Sequence, residues 1–224
     1  MLVRSAELGG SVRQSYTIHR HVSVVGWLLL LLAQGCSPEN NNDNPVAGGP
    51  VTVPMIVAVD GSATDGVGLA SKDGAADVVM TSGVIEVVHA DGPLLQWESR
   101  GMWEFDLEPV NVDINQAVLA LAVDDDHGPF PFNLAVHGYV GDGAITASDF
   151  AAGTLLGTLS YDPSQAIGID VTAFVQARLA GGDRWAGFTI RFSPASAIDT
   201  NGPFVTFGAR EGGPAPAHLL LEIP

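Results

Sequence analysis

The stretch Ile167–Phe192, IGIDVTAFVQARLAGGDRWAGFTIRF, decides the fold that we expect for the whole chain. At both ends, apolar residues alternate with glycine or polar residues, which is the two-residue period of a strand with one buried face. Between these ends the apolar spacing changes to the three or four residues of a helix face. A helix of about two turns is not stable alone and has to lie across a sheet. The stretch therefore predicts strand, short helix and strand within a β-sandwich.

Capping residues stand at both ends of the predicted helix. Asp170 or Thr172 is placed to accept the first free amide protons, and Gly181-Gly182 supplies a left-handed stop. The apolar side of the helix consists of Val171, Phe174, Val175 and Leu179. We expect this side to pack on the sheet.

The rest of the chain after residue 50 repeats the strand period and interrupts it with turn residues. The sequence has 27 Gly and 14 Pro, which suits many turns between short strands better than long helices. Turns or loops are predicted at 60–62 and 124–129, separate strands at 94–98 and 101–107, and a helical turn at 148–152. We expect one all-β domain over residues 51–224, a jelly-roll β-sandwich of about ten strands with one short helix.

Charge is distributed unevenly along the chain. Of nine Lys and Arg residues and 25 Asp and Glu residues, three basic residues and one acidic residue precede Cys36. The part after Cys36 therefore has six basic and 24 acidic residues and a net charge of −18. Such a surface repels phosphate backbones and anionic membranes, so we expect no nucleic-acid partner. It suits a solvated acidic surface, high salt or divalent cations.

Residues 1–36 have the features of an export signal. Basic residues precede an apolar run of about 12 residues, Val22–Ala33, which is too short to cross a bilayer and typical of a signal peptide. Small Gly35 stands before Cys36, the one cysteine of the chain. The segment resembles a bacterial lipoprotein signal, which implies that Cys36 is lipidated. The alternative is an ordinary cleaved signal with an incidental cysteine.

The predicted signal implies a location at the cell surface, and a flexible linker follows it in the sequence. Residues 37–50, SPENNNDNPVAGGP, have almost nothing to bury, so we expect a flexible linker. The lipid would anchor the protein to a membrane at the cell surface. Because Ser37 rather than Asp follows Cys36, the resemblance implies the outer membrane in a cell that has one. Without lipidation the protein would be secreted.

Four segments, taken together, resemble one known family of domains. They are Arg100–Leu107 (RGMWEFDL), Ile114–Leu121 (INQAVLAL), Ile169–Gln176 (IDVTAFVQ), and Phe207–Glu211 (FGARE) leading to Leu219–Ile223 (LLLEI). Their order and spacing over residues 100–223 are similar to those of the DNRLRE-type domain, which is grouped with carbohydrate-binding modules. The chain departs from the family where Arg178 and Leu179 replace a usual Trp. The resemblance implies a jelly roll and, in some members, binding to acidic polysaccharides such as alginate or pectin.

Carbohydrate recognition needs aromatic faces for sugar C–H surfaces and planar polar groups for hydroxyls and carboxylates. The candidate ligand-binding residues are Trp97, Arg100, Tyr139, Trp185, Arg191 and Arg210. Trp103 alternates with Phe105 and Leu107, so we expect it in the core instead. An anionic sugar meeting a domain of this negative charge would need a local basic patch or a bridging cation.

Two acidic segments are candidate calcium sites. Residues Asp142–Asp149 resemble the second half of an EF-hand loop, but the first and third ligand positions would fall on Gly138 and Val140, which carry no carboxylate. The other candidate is the acidic loop predicted at 124–129. The carboxylates offered as ligands are Asp124, Asp126, Asp142 and Asp149. A solvated turn is the alternative at both places, and we expect no other cofactor.

Signatures of common enzyme classes are missing from the sequence. It has no GxSxG, HExxH or Walker pattern, and His89, His127, His137 and His218 are scattered. A glycosidase pair made of two carboxylates that are distant in sequence would leave no motif in the sequence. We therefore expect a non-catalytic, cell-surface, carbohydrate-binding-like module that binds a polysaccharide or a cell-envelope component. The alternative is a structural or adhesion module of the envelope without a sugar site.

Overall fold

Two antiparallel sheets enclose a large apolar core in the computed structural model of the chain. The structure describes residues 50–66, 72–81, 83–91, 96–128, 130–163, 167–193, 203–210 and 216–224. In this part of the chain the strands are β1 (Val51–Ile56), β2 (Val59–Asp65), β3 (Val78–Met80), β4 (Ile85–Asp91), β5 (Gln96–Asp106), β6 (Gln116–Leu121), β7 (Val123–His127), β8 (Phe132–Val140), β9 (Thr154–Tyr161), β10 (Ile167–Asp170), β11 (Trp185–Phe192), β12 (Phe204–Phe207) and β13 (His218–Ile223). A 3₁₀ helix spans Ala147–Ala151, and the α-helix α1 spans Thr172–Gly181.

The order of the strands is that of a jelly roll. The smaller sheet has the order β1-β13-β6-β10, and the larger sheet follows β7-β12-β4-β5-β11-β8-β9, with β2 paired to β5 and β3 to β2. Eight strands carry the pattern: β1, β5, β6, β8, β9, β10, β11 and β13. Counted in chain order, β1, β13, β6 and β10 are the first, eighth, third and sixth of these strands, and they form the smaller sheet. The second, seventh, fourth and fifth, which are β5, β11, β8 and β9, lie side by side in the larger sheet. The orders 1-8-3-6 and 2-7-4-5 are those of a jelly roll. The expected all-β jelly-roll sandwich is confirmed.

The stretch Ile167–Phe192 carries the chain from one sheet to the other. Strand β10 pairs with β6 in the smaller sheet, and β11 lies between β5 and β8 in the larger one. Between them, α1 begins where Asp170 Oδ1 accepts the Thr172 N–H at 2.9 Å. It ends at Gly182, whose φ of 72° is the left-handed conformation that glycine adopts without strain. The predicted strand, helix and strand are confirmed.

Aromatic and aliphatic side chains from both sheets and from α1 fill the core. Trp103 is fully buried, as its alternation predicts, and its ring meets the ring of Phe207 edge-on at 5.3 Å. Phe188 on β11 lies 5.9 Å from Phe105 and 5.3 Å from Phe174 of α1, measured between ring centroids. Phe188 therefore joins the larger sheet to the helix that closes the sandwich.

Two segments that the sequence predicts as turns or loops are strands. Residues 60–62 lie within β2, which pairs with β3 on one side and β5 on the other. Residues 123–127 form β7, an edge strand that pairs with β12. Both segments, VDGSATD and VDDDH, lack the apolar alternation that indicates strands. Their strand conformation comes from pairing with distant parts of the chain, which local sequence does not show.

The two strands predicted at 94–98 and 101–107 form one continuous strand, β5. Residues 96–99 of β5 pair with β4, and residues 101–106 pair with β11. Gly101 stands at the change of partner, where a Cβ atom would lie 2.6 Å from the Trp103 ring. The glycine is needed for close packing inside a strand.

We expect Phe188→Ala to destabilise the domain by about 3–5 kcal/mol, because it removes a fully buried ring that contacts both the sheet and α1. Leu155→Ala is the matched control, since Leu155 on the edge strand β9 is 58% exposed, and we expect a change below about 0.5 kcal/mol. Urea unfolding monitored by circular dichroism measures both. Equal losses for the two variants would contradict the packing described above.

Candidate functional site

The side of the larger sheet that faces away from the core carries a group of polar residues. Directly paired residues of antiparallel strands lie on the same face of a sheet. Across β5, β11 and β8, two neighbouring rows on this side are Glu104–Gly187–Tyr139 and Met102–Thr189–His137. Arg100 and Arg191 continue the same alternation along β5 and β11. We call this side of β5, β11 and β8 the outer face.

Four of the six predicted ligand-binding residues share the outer face: Arg100, Tyr139, Trp185 and Arg191. The other two lie elsewhere. Trp97 pairs with Ala90 and has the opposite alternation on β5. Arg210 follows β12, where its N–H donates to Asp60 Oδ2 at 2.7 Å and its guanidinium donates to the Ala58 carbonyl. The structure thus places two arginines at one end of the outer face and Trp185 at the other, with Tyr139 between them, and separates Trp97 and Arg210 from this face.

Residues 141–153, which connect β8 to β9, fold over part of the outer face, and we call them the strap. The side chains of Ile145 and Phe150 are buried against Met102 and Ala63. Thr146 and Asp149 form a capping box, in which Asp149 Oδ2 accepts the Thr146 N–H at 2.7 Å. This box sets the 3₁₀ helix that places Phe150 on the sheet, and it confirms the predicted helical turn.

Arg100 is held firmly between β5 and the strap. Its Nε donates to Glu98 Oε1 at 2.6 Å, and these two side chains are only about one-tenth exposed, 11% and 12%. The guanidinium lies 3.8 Å from the centroid of the Phe150 ring and donates to the Phe150 carbonyl. Cation–π contact and charge-assisted hydrogen bonds together fix the position of this charge.

Arg191 and His137 form a second basic group beside Arg100. Arg191 Nη2 lies 3.2 Å from His137 Nε2, and because the guanidinium can only donate, Nε2 is the acceptor and the ring proton is on Nδ1. Burial, with smaller contributions from the charges of Arg191 and Arg100, lowers the pKa of His137 to about 4. The imidazole is therefore neutral near pH 7. Burial, and then the charge of Arg100, also lowers the pKa of Arg191.

Several polar atoms of the outer face have no hydrogen-bond partner within the described residues. They are Arg191 Nε, His137 Nδ1 and Thr189 Oγ1. A buried polar atom without a partner costs about 1–3 kcal/mol, so a cluster of such atoms is rare in a native structure and calls for an explanation. All three belong to the basic group around Arg191. Their grouping on one sheet face marks the candidate site.

The other end of the outer face is acidic. Glu104 is fully buried, and its Oε2 accepts the Gly143 N–H of the strap at 2.7 Å. Burial raises the pKa of this carboxyl, the Gly143 N–H and the nearby Tyr139 hydroxyl act in the opposite direction, and the charges of Asp149 and Asp142 add to the rise. The ring of Trp185 packs against Gly143, where a Cβ would lie 2.8 Å from it.

The four carboxylates proposed as calcium ligands occupy two separate places. Asp124 and Asp126 lie on β7, so the acidic loop predicted there is wrong, and Asp126 accepts a hydrogen bond from the Tyr161 hydroxyl at 2.6 Å. Asp142 accepts the Ala144 N–H, and Asp149 caps the 3₁₀ helix. Among the described residues, no group of three or more His, Cys, Asp or Glu side chains is placed to hold a metal ion.

No model of a known protein family matches the chain, and no curated protein sequence is significantly similar to it. The DNRLRE-type resemblance therefore stays a prediction. The segment with Cys36 lies outside the described residues, and lipidation stays a prediction as well. Within the part that the structure describes, no helix is long and apolar enough to cross a membrane.

Sequence reasoning missed His137, Thr189 and Glu104 as members of the site. Each of them alternates with core residues along its own strand, so each had to lie on the outer side. That signal does not say which strands are neighbours. Only the pairing of β11 with both β5 and β8 places these residues beside the two arginines.

We expect the His137 imidazole to titrate with a pKa of about 4 and Arg191→Gln to raise that pKa toward its ordinary value, because a neighbouring positive charge is removed. NMR titration of the ring protons measures both, and Arg184→Gln at the far end of β11 is the control. Since the folded-state pKa lies below the usual 6.5, the folded protein loses stability as the pH falls from about 6.5 to about 4. An ordinary His137 pKa in the wild type would contradict the burial described.

Proposed function

We propose that this protein is a non-catalytic carbohydrate-binding module that binds acidic glycans on the outer face. The observation that carries the proposal is the grouping of Arg191, His137 and Arg100 on one sheet face, where all three residues are partly exposed. Planar guanidinium groups pair with carboxylates, and a neutral imidazole N–H donates to hydroxyl or carboxylate oxygens. These groups fit a uronate-type sugar.

The electrostatic surroundings support an anionic ligand at this place. The part of the chain after Cys36 has a net charge of −18, so two neighbouring arginines with one carboxylate, Glu98, which is bound to Arg100, form a local exception. The acidic remainder repels polyanions elsewhere on the surface and leaves this patch as the favourable place of approach. No bridging cation is needed for the contact.

An aromatic ring lies on the same face, farther along β11. Trp185 is half-buried at the start of β11, six positions and roughly 20 Å from Arg191. Gly143 packs against its ring, and the Arg184 guanidinium lies 5.2 Å from the ring centroid. The exposed part of the ring would contact the C–H surface of a sugar several units along a polysaccharide from the unit bound by Arg191.

The carboxylates of the outer face favour binding over catalysis. Glu104 is fully buried beneath the strap, and Glu98 is held by Arg100. The two residues are six positions apart on one strand, roughly 20 Å at the rise of a strand. The acid and base of a glycosidase lie about 5–9.5 Å apart. Glu98 and Glu104 therefore do not form such a pair, and the carboxylates of Asp142 and Asp149 near Glu104 are bound by backbone N–H groups of the strap. This arrangement supports a module that holds a polysaccharide without cleaving it.

The proposed location is outside the cell. A lipid on Cys36, followed by the Asn-, Pro- and Gly-rich residues 37–50, would present the domain at a distance from the membrane. A tethered binding module at the cell surface would hold polysaccharide near the cell. An envelope module without a sugar site remains the competing hypothesis, and the following experiment separates the two.

We expect the protein to bind oligogalacturonate or alginate oligosaccharide in calorimetry, and Arg191→Gln to weaken binding about tenfold or more, since a charged hydrogen bond contributes about 1.5–3 kcal/mol. Arg178→Gln is the matched control, because Arg178 lies on α1, on the other side of the larger sheet, and is bound to Asp183. Equal unfolding midpoints would show that both variants are folded. No binding to any acidic or neutral glycan, or equal affinity of the two variants, would contradict the proposal.

A further inference from the structure

Two side chains of β5 form hydrogen bonds to the backbone of the strap, and both lie on the outer face. Glu104 accepts the Gly143 N–H through Oε2 at 2.7 Å, and Arg100 donates to the Phe150 carbonyl. The backbone of the strap lies directly on the Glu104 carboxylate, because a Cβ at Gly141 would lie 2.6 Å from the Glu104 carboxyl carbon. In the observed position, the strap therefore covers the Glu104 carboxylate.

The covered carboxylate has unfavourable surroundings when it is ionised. The titratable groups that face it are Tyr139 from β8 and Asp142 and Asp149 from the strap. Trp185 and Gly187 on β11 and Val59 on β2 bring no charge to it. The Tyr139 hydroxyl hydrogen-bonds to it and favours the ionised form, but by less than burial disfavours that form. A buried negative charge without a positive neighbour strongly favours the neutral, protonated acid.

We propose that Glu104 is a positioning residue whose protonation state sets how firmly the strap closes, and that Phe150 transmits this closure to Arg100 in the binding site. This inference rests on the proposed function of the outer face. With the strap closed, the Phe150 ring and carbonyl hold the Arg100 guanidinium. With the strap open, Arg100 keeps Glu98 as its partner and loses these two contacts, so it can turn away from Arg191.

The sign of the effect follows from linkage. Closure buries Glu104 and raises its pKa above the ordinary 4.5, so the closed strap binds a proton more tightly than the open strap. Closure is therefore firmest below that ordinary value and weakens as the pH rises through the raised pKa, when the proton leaves for solvent. Each unit by which closure raises the pKa makes the strap about tenfold easier to open at high pH. His137 is mostly neutral from about pH 5 upward, because its pKa is about 4.

Hydrogen exchange of the strap amides in the ligand-free full chain tests this directly. After correction for intrinsic exchange rates, we expect the Gly143 amide to exchange several-fold faster at about pH 8 than at about pH 5. Glu104→Gln mimics the neutral acid and should remove most of that difference. Glu86→Gln on β4 is the matched control, because burial also raises the pKa of Glu86 but the strap does not cover it. It should keep the wild-type profile.

A second variant keeps the test decisive if Glu104→Gln does not fold. Asp142→Asn removes one of the charges that raise the Glu104 pKa, and we expect it to reduce the opening at high pH. Oligogalacturonate affinity should follow strap closure in the wild type and lose its pH dependence in Glu104→Gln. A pH-independent strap in the wild type, or an unchanged pH profile in Glu104→Gln and Asp142→Asn, would overturn the inference. Absence of glycan binding with a pH-dependent strap would instead remove the proposed function and support the strap mechanism.

Discussion

Burial of both faces of β11 is the constraint on which the rest of the structure depends. One face carries Phe188 and Ile190 into the core, and the other carries Gly187 and Thr189, which are also buried. The strand pairs with β5 on one side and β8 on the other, so residues 186–190 have a paired strand on both sides in the middle of the larger sheet. Everything on the outer face must fit around this strand.

The surroundings of β11 on the outer face account for Gly187, and two polar residues, Thr189 and Arg191, lie beside it on the same face. Gly187 carries no side chain because the Tyr139 ring lies over it, and a Cβ there would lie 2.4 Å from that ring. Thr189 and Arg191 place polar atoms where most strands with two covered faces would have apolar ones. A polar stripe in the middle of a sheet weakens packing, so its retention fits a binding role better than a structural one.

The fold follows largely from periodicity, and the site only in part. The alternation in Ile167–Phe192 and the glycine stop at Gly182 predict β10, α1 and β11 because these signals are local. Strand β2 has no apolar alternation, and its conformation depends on β3 and β5, which are distant in sequence. Local patterns cannot show such pairing.

For the site, sequence chemistry selected Arg100, Tyr139, Trp185 and Arg191, which the fold does bring to one face. The same chemistry selected Trp97 and Arg210, which lie elsewhere, because residue type carries no information on sheet register. His137 became visible only when β8 was placed beside β11. The sequence therefore predicts which residue types the site contains, whereas the strand order determines which residues belong to it.

The proposal that the outer face binds ligand is tested by mapping backbone amide chemical shifts by NMR during titration with oligogalacturonate. We expect the largest changes at residues 137–139 and 187–191 and in the strap. Changes centred on Trp97 or Arg210, or on the smaller sheet, would contradict it.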